Sequence, residues 1–168
     1  MKAVSILLLI AFLFSACQSG PDREKMQAGI QELEKQIGDD PKAQTALFTQ
    51  LMGQYEDFAK AFPGDKQSAH YLSKAAELAR LNQQFDKAIT IYETIMKSYP
   101  DAPEASKAMF MKGFTLDNDL KNTAAAKAVY EEFLQKYPND DFADDTAFLL
   151  KNLGKSEEEI IKEFEAGK

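Results

Sequence analysis

The chain has 168 residues, with 27 Asp and Glu against 20 Lys and Arg, and a formal net charge of −7. An acidic chain of single-domain length with no basic run repels phosphate backbones, which argues against nucleic acid as a partner. One histidine excludes a zinc site built on several, and one cysteine excludes an intrachain disulfide.

The first sixteen residues, MKAVSILLLIAFLFSA, carry one cation at Lys2, an apolar run from Val4 to Phe14, then small residues. This pattern predicts an export signal over 1–16, too short for a comfortable membrane span. The sole cysteine, Cys17, follows at once. LFSAC resembles the bacterial lipobox, in which small residues precede a cysteine that receives a lipid and becomes the mature N-terminus. Ser15 and Ala16 fit, while Phe14 stands where Leu, Val or Ile is usual. The resemblance implies lipidation at Cys17. Gln18 stands where an aspartate would mark inner-membrane retention, so the same resemblance implies the outer membrane. Attachment would rest on acyl chains, at about 0.8 kcal/mol per buried CH₂, because an acidic surface has no pull toward anionic lipid. Residues 17–23, small and polar with one proline, read as a lipidated tether.

From 24 to 166 the pattern is helical, with no sustained period-two alternation. Met26, Ile30, Leu33 and Ile37 form one apolar stripe, ended by Gly38. Asp40 and Pro41 can open the next helix, lined by Leu47, Leu51, Tyr55, Phe58 and Phe62. A second pair is predicted over about 66–82 and 84–99, and a third over about 103–118 and 122–137. Asp101 and Glu104 are placed for a capping box. A short last pair covers about 142–153 and 156–166, with Ser156-x-x-Glu159 as another box.

Three aromatic–proline pairs punctuate these helices: Phe62-Pro63, Tyr99-Pro100 and Tyr137-Pro138. The prolines stand 37 and then 38 residues apart, and Tyr55, Tyr92 and Tyr130 each precede one by eight. Such a period predicts stacked units over about 24–63, 64–100, 101–138 and 139–166, since one unit alone cannot bury its apolar face. The units AELARLNQQFDKAITIYETIMKSYP and GFTLDNDLKNTAAAKAVYEEFLQKYP carry paired small residues, Ala76 with Ala88 and Gly113 with Ala126, followed by Tyr92 and Tyr130. They resemble the tetratricopeptide repeat (TPR). The period is longer than the family's usual 34, and Lys112 replaces a customary leucine. In that length the repeats are similar to envelope members of the family: the lipoprotein of the β-barrel assembly machinery and the C-terminal domain of the Tol-Pal-linked division coordinator. The expected fold is an all-α, TPR-like solenoid of seven to eight helices, with Tyr92 and Tyr130 between repeats.

The residues offer little for catalysis. With Cys17 acylated, a Cys–His pair has no nucleophile, and a calcium loop begun at Asp117 fails at Asn122 and Ala128. No glycine loop cradles phosphate. The expectation is no enzyme, no metal, no cofactor and no small-molecule substrate. In TPR folds the first helix of each pair lines a concave face. The resemblance places His70, Ser73, Glu77, Arg80, Lys107, Phe110, Phe114 and Asp117 there, with Asp145, Phe148 and Asn152 in the next repeat. Read by themselves, His70 is rather a solvated helix-start residue, and Phe110 and Phe148 are rather core. The functional expectation is a periplasm-facing, lipid-anchored scaffold that binds a protein partner in envelope or outer-membrane protein assembly. The alternatives are a pilotin-like secretin chaperone, a regulator of a peptidoglycan enzyme, or a self-associating structural domain.

Overall fold

The computed structural model describes residues 20–37 and 41–166. The export signal, Cys17, Gln18 and Ser19 of the tether, the predicted stop at Gly38 and the cap at Asp40 lie outside the described residues. Within them the chain forms eight helices: α1 Arg23–Lys35, α2 Pro41–Ala61, α3 Lys66–Leu81, α4 Phe85–Ser98, α5 Glu104–Phe114, α6 Thr123–Lys136, α7 Ala143–Asn152 and α8 Glu157–Ala166. From α1 to α7 each packs on its neighbours in sequence, and α3 also touches α5. This is the expected array of sequential hairpins. None of the described helices is long and apolar enough to cross a membrane.

Local chemistry explains the boundaries. Asp22 accepts from the Lys25 N–H, Asp65 from Gln67 and Asn122 from Ala125, capping α1, α3 and α6. Ser156 and Glu159 form the expected reciprocal box, at 2.8 Å and 3.2 Å. The box at Asp101 and Glu104 does not form. Turns from Tyr99 to Ala102 and from Ala102 to Ala105 make Pro103 the N-cap. Glu104 becomes the first helical residue rather than the third, and its carboxylate lies 3.7 Å from His70. Tyr99 and Tyr137 close α4 and α6 with nearly equal dihedrals, just ahead of the prolines that prevent continuation.

The core forms where small residues let helices approach. Ala76 and Ala88 are both wholly buried between α3 and α4. Between α5 and α6, Tyr130 lays its ring directly over Gly113. Tyr92 and Tyr130 are buried between repeats, as the spacing predicts, and burial pushes the phenol of Tyr92 up to about 12. The apolar face of α2 is likewise inward, with Leu51, Tyr55 and Phe58 fully covered. Ile37 departs from its stripe. It follows the end of α1, out of helical phase, and is 43% exposed. Lys112, at the customary leucine position, extends its stem outward so that Nζ meets Glu93 on α4 at 2.7 Å.

The change in period from 37 to 38 has a structural address. Ala76 and Gly113 stand at the same distance after their prolines, Pro63 and Pro100. Gln83 and Lys121, the turn residues with positive φ of 58° and 53°, do not; Lys121 comes one residue late. Between Gly113 and Lys121 lies a π-helical turn, Thr115–Asp119, which continues α5. At the end of α3 the closing bond runs from the Gln84 N–H to the Ala79 carbonyl at 2.8 Å. At the end of α5 it runs one residue further, from Asn122 to Leu116 at 2.7 Å. The extra residue is absorbed by underwinding the helix rather than by lengthening a loop.

Candidate binding groove

The first helix of each hairpin, α1, α3 and α5, contributes to one face crossed by polar rungs. Arg23 pairs with Asp65 at one end. Lys74 Nζ reaches Glu34 Oε1 at 2.6 Å, and Lys107 Nζ reaches Glu77 Oε1 at 2.6 Å. Arg80 Nε donates to Asp119 Oδ2 at 2.6 Å, with its guanidinium 4.9 Å from the Phe114 ring centre. Ion pairs open to solvent contribute about 0–1 kcal/mol each, and three of these rungs are part-buried. Their larger effect is to fix which polar atoms the face presents.

The rung at Glu34 gains a second donor from a neighbouring phenol. Burial alone would raise its carboxyl, but hydrogen bonds from Lys74 and from the Tyr55 hydroxyl, the latter at 2.7 Å, outweigh it and hold the pKa below the usual value. Burial, followed by the bond to Glu34, drives the Tyr55 phenol upward. Tyr55 also stacks on Tyr71 at 5.3 Å.

Two adjoining hollows open on this face. One, of about 320 Å³, lies between α3 and α5 and is walled by His70, Ser73, Lys74, Glu77, Pro103, Glu104 and Lys107. The other, of about 310 Å³, is more apolar. Ile37, Leu51, Leu78 and Leu81 line it, with Tyr55 and Glu34 behind. Lys74 and Glu77 belong to both. Leu81 is 66% exposed at its edge.

Of the eight residues expected in the groove, His70, Ser73, Glu77 and Lys107 come together in the first hollow. His70 is exposed, whereas Ser73 is buried in the wall. Arg80 and Phe114 meet each other, so Arg80 is a committed partner rather than a free cation. Phe110 stacks on Phe142 at 4.6 Å and contacts Phe133 at 6.3 Å, which makes it part of the α5–α6–α7 packing. Asp117 is displaced from the group. It sits within the π turn and lines a third hollow, of about 390 Å³, with Phe148 and Asn152. Phe148 is 50% exposed, so the core alternative for it does not hold.

Sequence reasoning missed Lys74, Pro103 and Glu104, and it missed the apolar hollow. The pair Leu78 and Leu81, one helical turn apart, was the available signal. Among the described residues, no group of three or more His, Cys, Asp and Glu is arranged to hold a metal ion.

Residues 71–102 and 107–140 match the tetratricopeptide repeat family model, covering most of α3 with α4 and then α5 with α6. The chain is also 22% identical, over 172 aligned residues, to the outer membrane protein assembly factor BamD of Neisseria gonorrhoeae. The alignment takes in 90% of this chain and 64% of that protein, so the chain spans under two thirds of its relative's length. Residues 71–102 and 107–140 are thus tetratricopeptide repeats inside a continuous array of helical hairpins, and the chain is distantly similar to BamD.

Proposed function

We propose that this chain is a non-enzymatic scaffold, held at the outer membrane by lipid on Cys17, whose concave face grips a segment of an envelope protein during outer-membrane protein assembly. The observation that carries the reading is the pair of joined hollows on α1, α3 and α5. An apolar pocket edged by Leu81 adjoins a polar one edged by His70 and Lys107. That combination suits an extended or helical segment with one apolar anchor and flanking polar groups. The relation to an assembly factor supports the envelope setting, and the signal followed by a sole cysteine supports the anchor.

Site-directed photocrosslinking in intact cells tests the reading. A crosslinker at Leu81 or Lys107 is expected to trap one envelope protein, and a crosslinker at Lys97, on the second helix of its hairpin, is expected to trap none. A barrel-assembly subunit, a secretin or a peptidoglycan-associated protein in the adduct would assign the branch of envelope biology. Adducts from Lys97 alone would overturn the concave-face reading. Cys17→Ser tests the anchor separately: the variant should leave the detergent phase or remain unprocessed.

A further inference from the structure

The α3–α5 and α5–α7 seams are furnished differently. In the first the chain itself supplies a cation, a carboxylate and a ring: Arg80, Asp119 and Phe114. In the second, the hollow beyond the π turn presents a carboxylate, Asp117, and a half-exposed ring, Phe148. Asp117 holds the same place after Pro100 that Arg80 holds after Pro63. The cation of the first seam is therefore replaced by an acid in the second, and its chemistry is left open.

No side chain answers that acid. Asp117 is half-buried and makes no hydrogen bond or ion pair among the described residues. Two lysines stand in the same wall. Lys155 is held by both carboxylate oxygens of Glu163, at 2.8 Å and 2.7 Å. Lys121 acts on Asp117 only through space, beyond ion-pair distance. Burial raises the Asp117 carboxyl above its ordinary value, as happens when a carboxylate loses water without gaining a partner.

We propose that the hollow bounded by Asp117, Phe148 and Asn152 receives an arginine or lysine side chain from the protein segment that lies in the concave face. Asp117 accepts the charged N–H groups and Phe148 lies against the cation, as Asp119 and Phe114 do for Arg80 one repeat earlier. The chain is acidic overall, Asp117 is the sole carboxylate in the lining and makes no ion pair, and Lys155 beside it is neutralised by Glu163, which favours a cationic occupant that displaces the exposed Lys121. Arginine suits it better than lysine, because a planar guanidinium can meet a carboxylate at its edge and a ring at its face. The inference rests on the concave-face reading and adds the chemistry of the occupant.

The test uses two capped peptides, Gly-Leu-Arg-Leu-Gly and the same sequence with uncharged citrulline for arginine, titrated into the purified full chain and followed by ¹⁵N NMR. The arginine peptide is expected to shift the signals of Asp117, Phe148 and Asn152 and to bind at least about tenfold more tightly, the scale of a charge-assisted hydrogen bond. Asp117→Asn should abolish that preference with its spectrum otherwise preserved. Phe148→Ala should weaken arginine binding by about threefold, as expected for an exposed cation–π contact. Equal affinity for the two peptides, or a preference that survives Asp117→Asn, would overturn the inference. Binding that maps instead to His70 and Lys107 would also overturn it, while leaving the concave-face reading in place.

Discussion

Gly113 decides how close α5 and α6 can come, and replacing it with alanine tests the hairpin packing directly. A Cβ added there would lie 2.5 Å from Tyr130 Cε1, 2.8 Å from Cδ1 and 3.3 Å from Cζ. Carbon atoms prefer about 3.5–4.0 Å, so the ring or the helix must move by about 1 Å. Tyr130 has no solvent side to retreat into, since it is wholly buried. Overpacking of this kind costs about 1–3 kcal/mol. Alanine in a helix returns about 0.5–1 kcal/mol through backbone entropy, so the net loss should be about 1–2 kcal/mol. Gly53 supplies the control, because it lies within α2 and a Cβ there meets nothing within 4 Å. Gly53→Ala should therefore stabilise the chain by about 0.5–1 kcal/mol. Urea unfolding of the two variants reads both numbers. If Gly113→Ala stabilises as Gly53→Ala does, Tyr130 does not seat on α5 and the account of the repeat core fails.

Tyr92→Ala should cost about 3 kcal/mol or more, since it empties a buried aromatic site between repeats, and chemical denaturation measures it. Glu34 is held below its ordinary pKa, so its contribution is present above the unfolded-state value and is lost as pH falls through the folded one. Glu34→Gln should accordingly melt lower than wild type at pH 7, with the gap narrowing as pH falls below the ordinary carboxylate range; a deficit that does not change with pH would mean the rung does not act through charge. Asp117 has the opposite sign. Its carboxyl is raised by burial, so ionisation disfavours the fold above that pKa, and Asp117→Asn should raise the melting temperature at pH 7. A lower melting temperature would show that the carboxylate has a stabilising partner.

The array was legible because three signals agreed. Aromatic–proline pairs marked the hairpin ends, apolar stripes marked the buried faces, and Ala76, Ala88, Gly113 and Ala126 marked the close approaches. Each of these is a local or periodic property. The one-residue difference between repeats was visible as a number but not as a π turn, because the same insertion could have entered a loop. Asp117 lies within that turn and outside the group around His70. The aromatic residues were the hardest to place. Phe110 and Phe148 occupy matching positions after their prolines, yet Phe142 covers the first and solvent reaches the second. Helical phase cannot separate them, since the difference depends on what packs against each from the next hairpin. The rung from Lys107 to Glu77 spans two hairpins and has no signature in local spacing.

The most direct measurement of the central claim is the affinity of the crosslinked envelope partner, once purified, for wild-type chain and for variants of the two faces. Leu81→Ala removes the exposed apolar edge of one hollow, and Lys107→Glu reverses a wall charge of the other. Both sites are accessible enough that melting temperatures should change little. The account predicts at least tenfold weaker binding for each of these and unchanged binding for Lys97→Glu. Wild-type affinity in both concave-face variants, with loss in Lys97→Glu, would contradict it.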